Sequence, residues 1–490
     1  MNTQKENEFS ALTQHSVEKI GGTSMSDYTA VRDNIILAGA QGGSPYGRIF
    51  VVSAYGGVTD LLLENKRNGQ PGVYGHFADD TNEENWRAAL SAVGNTLRQI
   101  NEELFAQGAE LDEANAYIEG RLFEAERCME NLHKLCQHGH FGLEDHLLTV
   151  REMLASIGEA HSAWNTAKLL RRDGIQAQFV DLSGWKSELT LPLDEHIAQE
   201  LAGINLDKVL PIVTGYAHCQ EGLMATFDRG YSEMTFSRIA VISKASEAVI
   251  HKEYHLSSAD PRLVGENKVV PIGRTNYDVA DQLANLGMEA IHPRAAKGLR
   301  QQEIPLRVKN TFEPEHGGTL IDGDYRSEQP CVEIIAGRKQ VYALEVFDQD
   351  MVGSLWQYEQ KILAAIQRFK SNVITKDINA NTITHYLGAN LKTVKRIVSA
   401  VKQEFPGAEV STRKVAVVSA IGSDMQVPGI LAKTVSALAS ANISVLAMHQ
   451  SMRQVDMQFV IDEKDYEQAV ASLHSCLVEV HDHGEAICVA

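Results

Sequence analysis

Short, wholly apolar runs separated by stretches of helical character are the feature that most constrains this fold. Ile49-Phe50-Val51-Val52 contains no polar residue and ends in Ser53-Ala54. A strand without a polar face must be buried on both sides, as in a parallel sheet covered by helices. Similar runs occur further along, at Ala177 to Val180, Ile212-Val213 and Ala248 to Ile250. Because helical stretches such as Met153 to Leu170 and Glu233 to Lys244 lie between them, the alternation predicts a three-layer α/β domain.

Between Asn65 and Leu147 this alternation is interrupted. A loop-like Gly69-Gln70-Pro71-Gly72 is followed by apolar residues at helical spacing, namely Leu90, Val93, Leu97 and Ile100. We therefore predict a helical insertion at about residues 66–147 within the α/β domain. The segment also contains cysteines and histidines at Cys128, His133, Cys136, His138 and His140. They lack the paired spacing of structural zinc sites, so no protein metal site is predicted.

The chain from about Cys331 onward repeats one pattern twice. A strand, a helix, two strands and a second helix run from Gln340 to Phe405, and a similar order begins again at Val415. A repeated βαββαβ order predicts two α+β units. We place these units at residues 331–410 and 411–490, after an α/β domain at residues 1–330.

Charge and hydropathy exclude several functions. The 490 residues carry a formal net charge of -19, whereas broad contact with a nucleic acid backbone needs a basic face. No apolar run approaches the roughly 18 residues of a membrane span. Residues 1–18 are polar and lack the apolar centre of a secretory signal, and the six cysteines have no disulfide-framework spacing. We therefore expect a cytoplasmic protein with neither a nucleic acid nor a membrane partner.

Lys19-Ile20-Gly21-Gly22-Thr23-Ser24 has the composition of a phosphate-binding turn. Two glycines allow backbone N–H groups to approach phosphate oxygens, and a lysine ahead of them supplies a mobile positive charge. Such a charge stabilises a phosphoryl group in transfer. The same residues also form turns that bind nothing, so this segment alone leaves both interpretations open. It matches neither the P-loop pattern nor the glycine-rich loop of protein kinases.

Six further motifs follow the Lys19 loop in order: Ser53-Ala54-Tyr55-Gly56-Gly57-Val58-Thr59-Asp60, Ser156-Ile157-Gly158-Glu159, Phe227-Asp228-Arg229-Gly230-Tyr231-Ser232-Glu233, Ser258-Ala259-Asp260-Pro261-Arg262, Ile291-His292-Pro293-Arg294, and Val308-Lys309-Asn310-Thr311-Phe312 with Gly317-Gly318-Thr319-Leu320-Ile321. In order and spacing the seven motifs resemble the signature set of the aspartate kinases. The two terminal units resemble the tandem ACT domains of that family. The likeness covers roughly Val17 to Val480. Taken singly, a residue such as Glu159 is more often a first-turn helix charge, and one such as Arg229 is more often a surface or salt-bridge residue.

The resemblance implies an amino-acid-kinase fold with two ACT-like domains and a specific reaction. ATP would phosphorylate the β-carboxylate of L-aspartate, giving 4-phospho-L-aspartate. Lys19, Glu159 and Arg229 would be the catalytic residues. Lys19 would stabilise the moving phosphoryl group, Glu159 would bind the α-ammonium, and Arg229 would grip the α-carboxylate through its planar guanidinium.

The resemblance also implies how the two substrates are held. Substrate contacts would come from Thr59, Glu159, Arg229, Ser232 and Glu233. The nucleotide would contact Lys19, Gly21, Gly22, Thr23, Ser24, Lys252, Glu253 and Arg262. Mg²⁺ would bridge the phosphates of ATP, without a separate protein metal site.

The sequence departs from the family pattern in ways that indicate a subtype. Within one motif the usual Gly, Gly and Asp are replaced by Asp228, Tyr231 and Glu233. Glu289 stands where the family has a lysine on the nucleotide side, and we suggest Lys252 as the compensating cation. Together with Glu18-Lys19-Ile20, these features resemble the specialised aspartate kinases encoded with ectoine synthesis enzymes. Their product leads to aspartate semialdehyde.

Two alternatives to an active aspartate kinase follow from the same residues. Glu289 and the altered Arg229 loop would also fit a catalytically impaired, amino-acid-sensing regulatory protein. A kinase acting on glutamate or on a carbamoyl group is disfavoured by the ACT-like tail. ACT-like units commonly pair across a dimer, so the resemblance implies a homo-oligomer and an amino-acid effector. The candidate effector loops are Asp348 to Gly353 and Gly422 to Gly429.

Overall fold

The structure, a computed structural model, describes residues 14–39, 43–65, 68–79, 83–187, 189–227, 230–288 and 290–479. The strands in these ranges are β1 (Ser16–Ile20), β2 (Arg48–Val52), β3 (Ala177–Val180), β4 (Leu210–Thr214), β5 (Glu247–Lys252), β6 (Arg274–Asn276), β7 (Leu306–Asn310), β8 (Thr319–Asp322), β9 (Ile334–Phe347), β10 (Asn372–Ile378), β11 (Thr382–Gly388), β12 (Glu409–Ile421), β13 (Val445–Gln450) and β14 (Asp456–Asp462).

The α-helices in the same ranges are α1 (Gly22–Met25), α2 (Tyr28–Ala30), α3 (Val58–Leu62), α4 (Val73–Ala78), α5 (Glu83–Leu104), α6 (Ala109–Cys136), α7 (Leu147–Arg172), α8 (Leu193–Leu201), α9 (Leu223–Phe227), α10 (Tyr231–Ser243), α11 (Pro261–Val264), α12 (Tyr277–Asn285), α13 (Pro293–Gln301), α14 (Leu355–Arg368), α15 (Leu391–Glu404), α16 (Ile430–Ser440) and α17 (Tyr466–Leu477). A π-helical segment, Val31–Leu37, continues α2. None of the helices in the described ranges is both long and apolar enough to cross a membrane.

The chain forms two compact units. The first runs to His255 and includes Ile291–Gly323, and the second takes Leu256–Ala290 and the chain from Asp324 onward. In the first unit, the sheet has the order β3-β4-β2-β1-β5-β7-β8. The first six of these strands are parallel, and β8 runs antiparallel to β7.

Burial along the central strands confirms the predicted α/β architecture. β2 and β4 are buried at every position, so helices cover the sheet on both faces. The carboxyl ends of parallel strands meet at one edge, and loops at that edge are the usual place for ligands in open α/β sheets. The Lys19 loop, residues 19–24, spans the end of β1 and the start of α1 at this edge.

The predicted helical insertion is present. Helices α4, α5 and α6 lie between β2 and β3 and lead into α7. Trp86, Leu90, Val93 and Leu97 of α5 are buried, as their helical spacing predicts, and Ile100 is half-buried. The long helix α7 packs both on α6 of the insertion and on strands β3 and β4 of the sheet.

In the second unit, the repeat forms one antiparallel sheet of order β10-β11-β9-β12-β14-β13. The two long strands are shared between the copies. Phe347 near the end of β9 pairs with Glu409, and Ile334 at its start pairs with Ile421. The last strand of the second copy is therefore supplied by the chain ahead of the first copy, an arrangement that the βαββαβ pattern did not predict.

The segment Leu256–Ala290 packs with the second unit, although the sequence analysis placed it with the kinase domain. Ile272 and Leu283 belong to a core that includes Val341. Ser258 Oγ lies 2.9 Å from His474 Nε2. Local pattern could not show this, because burial of a short segment depends on which distant apolar surface it meets.

His385 on β11 gives a stability prediction in this unit. It is fully buried, lies opposite Leu344, and neither ring nitrogen has a hydrogen-bond partner among the described residues. Burial lowers the pKa of His385 to about 4. Because an unpartnered buried polar group costs about 1–3 kcal/mol, we expect His385→Leu to raise the free energy of unfolding by about that amount at pH 7.

Urea unfolding at several pH values tests this stability effect. The unfolded imidazole binds a proton below its ordinary pKa of about 6.5, whereas the folded one does so only near 4. Wild type should therefore lose stability as the pH falls through this window, and His385→Leu should lose less. Exposed His138→Leu is the matched control and should change little. A destabilised His385→Leu variant would contradict the prediction.

Candidate active site

The Lys19 loop is held tightly between the ends of neighbouring strands. Gly21 N donates to the carbonyl of His251, at 3.1 Å. A Cβ at Gly22 would lie 2.7 Å from the carbonyl oxygen of Ala54, so only glycine fits there. Ser24 Oγ lies 2.8 Å from Thr311 Oγ1. The loop is therefore fixed against the end of β5 and against the segments that follow β2 and β7.

Lys19 is a buried cation paired with a carboxylate. Its side chain is 8% exposed, and its Nζ lies 3.8 Å from Glu233 Oε1. The other oxygen of Glu233 accepts a hydrogen bond from His292 N at 2.6 Å. Glu233 was predicted as a substrate contact, and its contacts here are the lysine and the first residue ahead of α13. The arrangement fixes a positive charge at the carboxyl edge of the sheet.

Glu159 on α7 is a buried carboxylate with unused hydrogen-bonding capacity. It is 2% exposed, and its Oε2 has no hydrogen-bond partner among the described residues. Burial raises the pKa of Glu159 to about 8, while the nearby Lys19 charge and the backbone N–H of Tyr216 oppose this rise. A carboxyl held in this way suits a ligand that brings its own positive charge.

Gly215 forms part of the same site and was missed by the sequence analysis. A Cβ at Gly215 would lie 2.7 Å from Ser232 Cβ and 3.1 Å from Glu159 Oε1. Glu159 and Ser232, both predicted as substrate contacts, are thus brought together across this glycine. The available signal was its position, because Gly215 directly follows the buried strand β4.

The turn after β2 brings Thr59 to the same edge of the sheet. Ser26 Oγ donates to Gly22 O at 3.2 Å and lies 3.0 Å from Gly56 N, which joins this turn to the Lys19 loop. A Cβ on Gly158 would lie 2.8 Å from Ala54 Cβ, so α7 approaches the turn closely. Thr59 follows in the first turn of α3 and is half-buried.

The structure shows chiefly how exposed the other predicted site residues are. Thr23 is exposed within the loop, Lys252 at the end of β5 is half-buried, and Glu253 is exposed. Arg262 belongs to the second unit, where its exposed guanidinium lies 2.8 Å from Asp260. Arg229 and Glu289 lie outside the described residues.

One edge of the sheet in the first unit therefore brings together the buried Lys19 ammonium, the carboxyls of Glu159 and Glu233, and glycines whose backbone neighbouring atoms approach closely. The cation and the backbone N–H groups suit phosphate oxygens, and the carboxyl of Glu159 suits an ammonium. Among the described residues, no group of three histidines, cysteines or acidic side chains could hold a metal ion.

Comparison with known proteins places the chain. The amino acid kinase family matches residues 16–310, and an ACT domain family matches residues 418–477. Since the first match spans more than half of the sequence, the chain belongs to the amino acid kinase family.

A single relative shows to which group within this family the chain belongs. Aspartate kinase Ask_Ect from Stutzerimonas stutzeri (strain A1501) is 56% identical over 476 residues, which cover 97% of this chain and 100% of that protein. Within the family, the chain therefore belongs with the aspartate kinases.

Two solved structures have the same fold at lower identity. E. coli aspartokinase III in complex with aspartate and ADP matches with a TM-score of 0.70 at 21% identity, covering 95% of this chain and 100% of that one. The same enzyme in complex with lysine and aspartate matches with a TM-score of 0.71 at 21% identity and the same coverage. The predicted fold is confirmed.

Proposed function

We propose that this protein is an aspartate kinase that transfers the γ-phosphoryl group of ATP to the β-carboxylate of L-aspartate. The observation that carries the proposal is that two buried groups lie at one edge of the sheet: the Lys19 ammonium, and the Glu159 carboxyl, whose Oε2 has no hydrogen-bond partner among the described residues. The first suits the phosphoryl group and the second the ammonium of an amino acid. The 56% identical aspartate kinase supports the same assignment.

The substrate would be oriented by its two charged α-substituents. Glu159 binds the α-ammonium, and Arg229 binds the α-carboxylate through two parallel hydrogen bonds. Ser232 and Thr59 line the space beside them. With both α-groups held, the β-carboxylate is the free end that faces Lys19, which sets the regiochemistry of transfer.

The nucleotide would lie against the glycine loop. Backbone N–H groups of Gly22, Thr23 and Ser24 hold phosphate oxygens, whereas Gly21 N donates to the carbonyl of His251 and fixes the turn. Lys252 and Glu253 extend the nucleotide contacts, and the predicted Arg262 contact stays a prediction from the sequence. Mg²⁺ bound with the nucleotide would supply positive charge that offsets part of the phosphate charge. We propose that the ion enters with the nucleotide.

The reaction follows from these positions. An oxygen of the β-carboxylate attacks the γ-phosphorus, the bond to the β,γ-bridging oxygen breaks, and ADP leaves. Lys19 stabilises the negative charge on the oxygens during this transfer. The same ammonium pairs with Glu233, which fixes its position at this edge of the sheet.

Activity should depend on pH through Glu159. The carboxyl must be ionised to bind an ammonium, and its pKa in the free protein is about 8. We therefore expect kcat/KM for aspartate to rise about tenfold per pH unit below 8 and to level off above it. Initial rates at saturating ATP from pH 6 to 9 measure this. A profile that is flat from pH 6.5 to 8.5 would contradict it.

We also propose a division of labour along the chain. Residues 1–330 would provide catalysis, and the ACT-like domains at 331–410 and 411–490 would bind an amino-acid effector and pair in a homo-oligomer. The ACT match at residues 418–477 supports the regulatory part. The departures from the common pattern and the name of the Stutzerimonas relative support an enzyme that feeds aspartate semialdehyde and ectoine. The cytoplasmic location stays a prediction.

A substrate panel tests the proposed function. ADP formation would be followed with Mg-ATP and, in separate reactions, L-aspartate, L-glutamate, D-aspartate and carbamate. We expect turnover with L-aspartate to exceed that with each other acceptor by at least about a hundredfold. The acceptor must place its α-ammonium and its α-carboxylate correctly and also have the side-chain length that brings its second carboxylate to the phosphoryl group. Absence of turnover with L-aspartate would favour a sensor without kinase activity.

A further inference from the structure

Behind the Lys19 loop, three side chains from neighbouring strands form a buried group, here called the back-face cluster: Glu18 of β1, Arg48 of β2 and His251 of β5. Arg48 Nε lies 2.6 Å from Glu18 Oε1, and Arg48 Nη2 lies 2.8 Å from Glu18 Oε2. His251 Nε2 lies 2.7 Å from Glu18 Oε2. All three side chains are buried. One carboxylate is therefore shared between a guanidinium and an imidazole, away from solvent.

The charges in the back-face cluster are defined. Burial alone would raise the pKa of Glu18, but the Arg48 charge and the hydrogen bonds from His251 and Arg48 hold it well below its usual range. Burial lowers the pKa of His251, although the bond to Glu18 opposes this. The imidazole is thus neutral near pH 7, and its Nε2 carries the proton that it donates to Glu18.

The back-face cluster uses nearly all of its hydrogen-bonding capacity. Arg48 also donates to the carbonyl oxygens of Ile36 and Ile35, at 2.9 Å and 2.8 Å, and Ser16 Oγ donates to Glu18 Oε1 at 2.9 Å. A buried ion pair is often no more stabilising than well-packed apolar residues of the same volume, because both charges lose their hydration. A contribution to stability therefore does not explain why these charged residues are buried here. Their hydrogen bonds do have a clear effect, which is to fix the positions of β1, β2 and β5 relative to one another.

The back-face cluster is joined to the catalytic loop at two points. Glu18 directly precedes Lys19, and because side chains alternate along a strand, the two point to opposite faces of the sheet. The carbonyl of His251 accepts the hydrogen bond from Gly21 N, at 3.1 Å. His251 therefore contacts β1 and its continuation at two points: its ring bonds Glu18, just before Lys19, and its carbonyl bonds Gly21 N, just after Ile20.

We propose that His251 and Glu18 are positioning residues for phosphoryl transfer, holding the end of β1 in register with β5 so that Lys19 and the backbone N–H groups of Gly22 to Ser24 meet the same phosphoryl group. The tolerance is small on the other side of the loop, where a Cβ at Gly22 would already lie 2.7 Å from Ala54 O. A displacement of about 1 Å at such a centre costs about a hundredfold in rate. This inference rests on the kinase activity proposed above.

Three variants of the full-length protein test the positioning role. His251→Leu removes the donor to Glu18, and His251→Gln keeps an N–H donor on a side chain of similar reach. The matched control is His15→Leu, because His15 is a buried histidine at the other end of β1 that bonds Ser243 Oγ at 2.9 Å. For each variant, kcat, KM for aspartate, KM for ATP and the melting temperature are measured.

We expect His251→Leu to lower kcat by about tenfold or more while KM for aspartate stays within about twofold. His251→Gln should recover kcat to within about threefold of wild type, and His15→Leu should lose melting temperature without losing kcat. The idea is overturned if His251→Leu keeps kcat, or if His15→Leu loses as much. Should His251→Leu not fold, Glu18→Gln carries the test, and an unchanged kcat in that variant overturns it. An inactive wild type would instead refute the proposed function itself.

Discussion

Replacing Lys19 by methionine is expected to lower kcat by about a hundred- to a thousandfold while KM for aspartate changes by less than about threefold. The ammonium sits in a site that is 8% exposed, 3.8 Å from Glu233. Its charge acts in an environment poor in water, where it stabilises the transition state more than it would in solvent. Methionine is unbranched and only one atom shorter than lysine, and it removes the charge together with its N–H donors.

Steady-state rates at saturating ATP and aspartate measure the Lys19 effect. Lys208→Met is the matched control, because Lys208 is exposed and precedes the amino end of β4, at the opposite edge of the sheet. It should keep kcat within about twofold. Melting temperatures of both variants separate loss of fold from loss of chemistry. A kcat for Lys19→Met within tenfold of wild type would refute the assigned role.

Glu159→Gln is expected to lower kcat/KM for aspartate by about 30- to 1000-fold, mainly through KM, with KM for ATP nearly unchanged. The loss arises because the substrate ammonium would meet a neutral amide in a buried site. The folded protein should tolerate the change well. With a pKa of about 8, Glu159 is mostly protonated at pH 7, and glutamine imitates that neutral form.

A carboxylate on the same helix provides the control for Glu159. Glu152 on α7 accepts hydrogen bonds from Tyr216 Oη at 3.1 Å and from Met224 N at 3.2 Å, so its role is structural. Glu152→Gln should leave KM for aspartate within about threefold, and Glu159→Gln should also flatten the pH profile of kcat/KM. If Glu159→Gln kept both the wild-type KM and the pH dependence, the ammonium would be bound elsewhere.

Part of this site was predictable from the sequence. Lys19, Glu159 and Ser232 were identified because their motifs, taken in order, resemble the signature set of the aspartate kinases. The apolar runs predicted the parallel sheet independently of that resemblance, since burial on both faces is visible in the composition of a single strand. The Arg229 prediction lies outside the described residues and stays a proposal.

Pairings between distant segments were not predictable. Glu233 meets His292 N across 59 positions, and Glu18 meets His251 across 233. The local hydrophobic pattern of the sequence does not reveal either contact, because both contacts depend on the order and register of the strands. The sharing of β9 and β12 between the ACT-like copies and the packing of Leu256–Ala290 were missed for the same reason.

The loop with replaced glycines shows a subtler limit. Tyr231 replaces a glycine of the family pattern, and a residue with a Cβ rarely adopts the backbone angles that only glycine tolerates. The structure places the positive φ of 104° on Gly230, and Tyr231 begins α10 with its ring against Tyr216, at a centroid distance of 5.7 Å. The replacement is therefore accommodated by moving an aromatic side chain into the core, without strain at that residue.

The most direct test of the central claim is the identity of the product. The protein would be incubated with Mg-ATP, L-aspartate and hydroxylamine, and the trapped hydroxamate identified by mass and by NMR. The account predicts β-aspartyl hydroxamate in amounts equal to the ADP formed, and essentially none from Lys19→Met. An α-hydroxamate, or no hydroxamate from a folded wild-type protein, would contradict it.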